Sequence, residues 1–198
     1  MYKIFSMKKF ICLFVLCLYL SFTSQDAKEY VICYQKLTSG KIFHIETKEG
    51  ERIAKVLRDV NKGSIVYSFL DLKDKVLANG ISETHQSDTS VFLTNDSGEK
   101  LGWFSAEIYN IYPKEYRIYT KNNCLLAKGF MNWLGSGFVL FDPDIPKRYL
   151  VNYNRPMFKL FNDYWHFEIL EDGIIDFRIL CFIGVFQAAC DLNFEKLE

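Results

Sequence analysis

Residues 172–196, DGIIDFRILCFIGVFQAACDLNFEK, decide how the rest of the chain is read. Their middle, 179–190, is apolar on nearly every side. A helix of that composition belongs in a protein core or in a membrane. At 1.5 Å per residue the apolar part spans about 18 Å, well under the roughly 30 Å of bilayer hydrocarbon. Its length therefore suits a core. Asp176 stands where an N-cap or first-turn acid would open the helix, which is expected over about 176–192.

The preceding sequence implies a core that needs such a filler. From residue 41 onward, runs rich in β-branched and aromatic residues, such as KIFHIET, SIVYSFLDL, SVFLT, YRIYT, GFVLFD and WHFEIL, alternate in the strand manner. Polar turns separate them: TKEGER (47–52), DLKDK (71–75), TNDSGEK (94–100), TKNN (120–123), DPDIPKR (142–148) and EDG (171–173). Their Gly, Asn, Asp and Pro supply the backbone angles and local hydrogen bonds of hairpins. After the first five turns the chain returns through RIAKV, KVLANGI, KLGWFSA, CLLAKGF and RYLVNYN, runs that carry small residues.

Five or six such hairpins make about eleven or twelve strands. So many antiparallel strands hide their edges most completely by closing, and a barrel of that size is too wide for wall side chains alone to fill. The expected fold is mainly β: an antiparallel barrel of about twelve strands enclosing the C-terminal hydrophobic helix. An N-terminal signal-peptide helix is expected to precede it.

That leader reading rests on Lys3, Lys8 and Lys9, followed by FICLFVLCLYLSF at 10–22 and then the polar TSQDAKEY. The apolar run is short for a permanent span, so residues 1–24 are expected to be a signal peptide, with an uncleaved anchor at 10–22 as the alternative. Ser21 and Thr23 suit a cut after Thr23, and cuts near Ser24 or Ala27 are also compatible. Leu16 before Cys17 does not suit a bacterial lipoprotein. The domain is then 25–198, secreted or otherwise extracytoplasmic, or membrane-anchored if the leader stays.

The chain of 198 residues is 49% hydrophobic and 17% aromatic, with 24 basic and 24 acidic residues. The size fits one globular domain, and the charge balance offers no field for nucleic acid. Beyond the leader lie Cys33, Cys124, Cys181 and Cys190, for which three complete pairings exist. Cys181 and Cys190 fall on nearly opposite helix faces, so they should not bond to each other. Buried free thiols are expected.

The chain resembles the tubby C-terminal-like superfamily, which includes tubby proteins, phospholipid scramblases and LURP-one-related proteins. The resemblance is carried by NDYWHFEILEDGIIDFRILCFIGVFQAACDLNFEK at 162–196: a Tyr/Trp strand, an acidic-Gly turn, an Asp-led apolar helix and an Asp-hydrophobic-Phe tail. FQAA at 186–189 is similar to the Phe-Gln-Ala-Phe of tubby helices, and CDLNFE at 190–195 to the scramblase tail. NNCLLAKGFMNWLGSGFVLFDPD, 122–144, is similar to the family's hairpins in pattern. The resemblance implies a twelve-stranded barrel around a C-terminal helix. It supplies no site residues: no cluster here matches the basic phosphoinositide site of tubby domains or the scramblase calcium segment, and LURP-one-related proteins offer no catalytic residues.

Side chains that could carry chemistry have simpler roles. His44, His85 and His166 lie on different hairpins without metal-ligand spacing. Cys124 with a distant His44 or His166 would be the nucleophilic dyad of an enzyme reading. Glu168, Glu171, Asp172 and Asp176 are dense enough for acid/base work, yet turn and N-cap roles account for them. DPDIP reads as a turn and not a calcium loop, and LGSGF (134–138) as a tight connection between strands. Asn95, in Asn-Asp-Ser, is a glycosylation acceptor on a turn if the host is eukaryotic. Trp103, Trp133 and Trp165 read as packing residues.

No catalytic, cofactor-binding or metal residues are therefore assigned, no cofactor is expected, and the ligand-binding residues are left open. The expected function is a non-enzymatic binding module for a lipid, peptide or protein on the outer wall or rim. A scramblase-like, membrane-active protein is the alternative, touching lipid through the helix or an uncleaved leader. An enzyme with an unrecognised site is third.

Overall fold

The computed structural model describes residues 27–36, 41–61, 64–85, 88–109, 112–155 and 164–194. The expected signal peptide, residues 1–24, lies outside the described residues. Twelve strands form a closed antiparallel barrel: β1 (Lys28–Lys36), β2 (Lys41–Thr47), β3 (Arg52–Asn61), β4 (Ser64–Leu70), β5 (Val76–His85), β6 (Asp88–Asn95), β7 (Lys100–Tyr109), β8 (Tyr112–Thr120), β9 (Leu125–Met131), β10 (Gly137–Phe141), β11 (Tyr149–Asn154) and β12 (Tyr164–Ile169). Each strand pairs with its neighbours in sequence, and β1 pairs with β12 to close the ring. One helix follows, α1 (Phe177–Phe194).

Strand β1, KEYVICYQK, is a strand that the pattern of hairpins from residue 41 did not reveal. Its register, with Ile32 opposite Trp165 on β12 and Ile45 on β2, makes it the closing stave. A turn at 132–136 joins β9 and β10, as expected for LGSGF, although its Gly137 and Phe138 already belong to β10: Gly135 N–H donates to Asn132 O at 3.0 Å.

The six connections 47–52, 70–76, 95–100, 120–125, 141–149 and 169–177 all lie at one end of the barrel, here the turn end. Their close hydrogen bonds, such as Asp71 N–H to Lys75 O at 3.0 Å and Thr120 N–H to Cys124 O at 2.9 Å, are those of short hairpins. Helix α1 enters from this end. Asp176 caps it, its Oδ1 accepting the Arg178 N–H at 2.9 Å, which satisfies one of the orphan donors of a helix start. The helix runs two residues beyond the expected 192.

Alternation along the strands sends one set of side chains inward. Ala54, Ala78, Ala106 and Ala127 are buried on that face and leave room for the helix. Gly184 marks the closest approach: a Cβ there would stand 2.2 Å from Ile32 Cδ1. Elsewhere large rings fill the space. Tyr116, Phe138, Tyr153, Phe167 and Tyr30 stack in sequence across the inner wall, with centroids 4.5, 4.5, 5.4 and 5.1 Å apart. Phe182 packs against Tyr67 and Phe69, and Phe186 against Phe104 and Tyr116. Ile179, Leu180, Phe182, Ile183, Val185 and Phe186 are all buried, so the helix is a plug on every face.

Candidate functional site

With the lumen filled, chemistry is confined to the barrel ends and the outer wall. The far end, toward which α1 points, holds the densest buried polar network. Asp191, 4% exposed, accepts hydrogen bonds from Trp165 Nε1 and Arg155 Nη1, both at 2.8 Å, and from Gln187 Nε2 at 3.1 Å. Gln187 Oε1 accepts from the Tyr116 hydroxyl at 2.6 Å, and Leu180 O from the Tyr153 hydroxyl at 2.9 Å. Lys41 and Arg58 are cross-strand partners on the inward face of the same end. The last turn of α1 has no basic residue of its own. Wall cations thus supply the positive charge that a helix C-terminus and a buried carboxylate require.

The hydroxyl and thiols nearest this network are held protonated. Burial pushes the Tyr67 hydroxyl up to about 12, the Arg58 charge pulling the other way. Burial also raises the Cys190 thiol to about 12 and the Cys181 thiol well above its ordinary value. Arg58 Nε is buried without a hydrogen-bond partner, the cost of holding a guanidinium over the helix end. The positions within FQAA and CDLNFE that carry the network, Gln187 and Asp191, had a legible signal: they are polar residues four apart on an otherwise apolar helix.

The residues weighed from sequence are not assembled into a catalytic group. Cys124 is exposed in the turn between β8 and β9, and in the ring β10 and β11 separate β9 from His166 on β12, with His44 on β2 further round, so the barrel does not bring that dyad together. The thiol opposite His44 is instead Cys33, half-buried, whose Sγ donates to Glu46 Oε2 at 3.6 Å. Burial and the Glu46 charge raise it to about 11, so it is a thiol and not a thiolate at neutral pH. The expectation of buried thiols holds for Cys181 and fails for exposed Cys124, because the turn places it in solvent. All four of these cysteines are free.

Burial lowers His44 and His166 below the ordinary histidine value. His85 sits at the exposed far end of β5. Among the described residues no group of His, Cys, Asp and Glu is arranged to hold a metal ion. The C-terminal carboxylates are mostly taken by cations. Glu171 accepts from Arg148 at 2.7 and 2.8 Å, Asp172 from Lys28 at 2.5 Å, and Asp176 from Arg178 at 2.7 Å. Glu168 faces outward on β12, opposite Asn152 and Glu29. DPDIP is a turn in which Asp142 Oδ1 accepts the Asp144 N–H at 2.8 Å. Asn95 likewise organises its turn, accepting the Glu99 N–H at 2.8 Å.

The tryptophans divide into three cases. Trp165 is a packing residue, 1% exposed. Trp133 is not: it is 92% exposed at the tip of the 132–136 turn, because that tight turn leaves it nothing to pack on. The turn bounds a cleft of about 480 Å³ on the outer face of β9, β10 and β11, floored by Phe130, Val139 and Phe141 and rimmed by Asn132, Asn152 and Asn154.

Trp103 lies on the outer wall in a row that crosses four strands. Ile81, Phe92, Trp103 and Tyr119 are successive cross-strand partners on β5 to β8. Trp103 and Tyr119 stack face to face, centroids 3.9 Å apart at 7°, with Phe92 5.6 Å from Trp103 on the other side. Asn123 Oδ1 fixes the indole, accepting its Nε1–H at 3.0 Å together with Lys100 Nζ at 2.7 Å. Ile81 and Phe92 stay 50% and 37% exposed. A rigid, partly exposed row of apolar side chains is what a binding surface uses.

These features define a plugged, closed antiparallel barrel with apolar patches on its outer wall. No protein-family model and no curated protein sequence matches the chain. Its fold is similar to that of a crystal structure of a protein from Arabidopsis thaliana, with a TM-score of 0.52 and 13% identity over 82% of this chain and 90% of that one. At that identity the likeness is one of fold.

Proposed function

We propose that this chain is an exported, non-enzymatic binding module of the tubby-like, LURP-one-related kind, taking a lipid, peptide or protein partner on the outer wall of its barrel. The observation that carries the reading is the division of apolar surface. The lumen is filled by α1, while Trp133 at 92%, Phe130 at 52% and Ile81 at 50% exposure stand on the outside. Exposed aromatic side chains on a rigid sheet are suited to recognition. The family resemblance of residues 162–196 and the fold shared with the Arabidopsis protein support the tubby-like assignment. The leader at 1–24 supports export of the domain 25–198.

A scramblase-like activity has less to rest on: among the described residues no helix is long and apolar enough to cross a membrane. The enzyme reading is weakened by the raised thiols and the ion-paired carboxylates.

The test is photo-cross-linking of the full chain in cells that express it, with a benzophenone amino acid placed at Phe92, Phe130 or Trp133 and, as an interior control, at Phe182. Adducts from outer positions alone are the expected result. Adducts from none of them would remove the reading. Lipid transfer between vesicle leaflets by the purified chain would favour the scramblase alternative instead.

A further inference from the structure

The wall of β5 to β8 carries a second pattern beside its aromatic row. Two positions nearer the far end on β5, and four on β6, β7 and β8, the outward residues turn acidic. Asp88, Glu107 and Glu115 are successive cross-strand partners on three neighbouring strands. Like charges set directly opposite each other destabilise a sheet. Arg117 holds Glu115 in a bidentate pair at 2.9 and 2.9 Å and also feels the Asp88 charge, and among the described residues no ion pair is made by Asp88 or Glu107. Glu83, on β5 between the two rows, is 55% exposed. A row of aromatic side chains and a row of carboxylates thus share one wall, about 13 Å apart at 3.3 Å per residue.

Charge complementarity selects the occupant. Carboxylates attract cations directly, and the stacked rings, whose faces are largely taken by one another, offer apolar surface to the aliphatic stems of arginine and lysine. An anionic membrane would be repelled by the same acids. The four strands span only about 14 Å at 4.8 Å per spacing, so the footprint is far below the roughly 800 Å² per partner of a stable complex. That size fits a short segment of chain. A closed barrel has no free edge, so the segment cannot add as a strand and must be read through its side chains.

We propose that the outer wall of β5 to β8 docks an extended arginine- or lysine-rich polypeptide segment. Its cations pair with Glu83, Asp88 and Glu107, and its aliphatic stems lie along the row of Phe92, Trp103 and Tyr119. The proposal rests on the outer-wall binding reading above and names the partner's chemistry.

The test is fluorescence anisotropy of the full chain with a labelled decapeptide of alternating arginine and serine, compared with its glutamate counterpart. Saturable binding of the arginine peptide is expected, weakening about tenfold between roughly 0.05 M and 0.3 M salt, and none of the glutamate peptide. The combined variant Glu83→Gln, Asp88→Asn, Glu107→Gln should lose about tenfold in affinity while melting no lower than the parent, since it removes repulsion. Phe92→Ser, at an exposed position, should also weaken binding. No saturation by about 1 mM peptide, or equal binding by the triple variant, overturns the proposal. So does a dimer abolished by Phe92→Ser, or binding to anionic vesicles through this wall. If the peptide fails while cross-links from Phe130 or Trp133 persist, the outer-wall reading stands and the cationic partner alone is discarded.

Discussion

Asp191, in the last turn of α1, accepts the indole N–H of Trp165 at 2.8 Å and so ties the plug to β12, the strand next to the closing stave. Arg155 and Gln187 share the same carboxylate. Asp191→Ala leaves a guanidinium and an indole N–H without their buried acceptor. The expected cost is about 3 to 5 kcal/mol, the range for breaking a buried pair on one side. Trp165→Phe, which removes only the donor and some area, should cost less, about 1 to 2 kcal/mol. Urea denaturation of both variants checks the order, and equal stability of Asp191→Ala and the parent would contradict it.

Gly184 faces Ile32 too closely for any side chain, a Cβ there meeting Ile32 Cδ1 at 2.2 Å. Alanine is the better helix former, so propensity alone predicts that Gly184→Ala stabilises, by about 1 kcal/mol. Overpacking is expected to win, for a net loss of about 1 to 3 kcal/mol. Adding Ile32→Ala should recover part of that loss through a favourable coupling between the two sites. A double-mutant cycle read by denaturation measures the coupling, and strict additivity would rule out the contact as the cause.

Much of the fold was legible because each hairpin turn announces itself locally. Asp71, Asn95, Thr120 and Asp142 all use side-chain oxygens to accept backbone N–H groups within four residues. The plug was legible because residues 179–190 are too short for a bilayer and too apolar for a surface. Strand β1 was not, since it precedes the run of hairpins that begins at residue 41 and its role as closing stave depends on pairing with β12, more than a hundred residues away in sequence. The candidate surface was hidden for the same reason. Ile81, Phe92, Trp103 and Tyr119 form a row only once the register of β5 to β8 is known, and the opposed acids Asp88, Glu107 and Glu115 likewise.

The pH dependence of stability should fall in two separate windows. His44 and His166 have folded-state values lowered by burial, so the unfolded chain binds their protons more readily. Stability then falls as pH drops through about 6.5, the ordinary histidine value, until both are protonated in the fold as well. For Asp176, burial acts upward, but hydrogen bonds from the Arg178 side chain and backbone, with its charge, hold the carboxyl below its ordinary value. Its contribution is full above about 3.9 and is lost as pH falls through the folded value. The double variant His44→Gln, His166→Gln should flatten the first window only. Asp176→Asn should reduce the acid-side slope, with at most about 1 kcal/mol lost at neutral pH because Asn also caps helices well. Melting temperatures from pH 8 down to about 3 separate the two, and an unchanged upper window in the histidine variant would refute the assignment.

Thiol chemistry gives a residue-by-residue check of the barrel. The reactive species is the thiolate, and access is also required. Cys33 is raised to about 11 and Cys190 to about 12, while Cys181 is buried in the plug and raised well above its ordinary value. Cys124 lies exposed in the β8–β9 turn. Brief treatment of the native protein with a maleimide near neutral pH, followed by peptide mapping, should modify Cys124 far faster than Cys33, Cys181 or Cys190. In denaturant all of these should react at similar rates. Rapid native labelling of Cys181 would mean that α1 leaves the barrel readily, and the plug would then be a mobile element instead of the core around which the strands close.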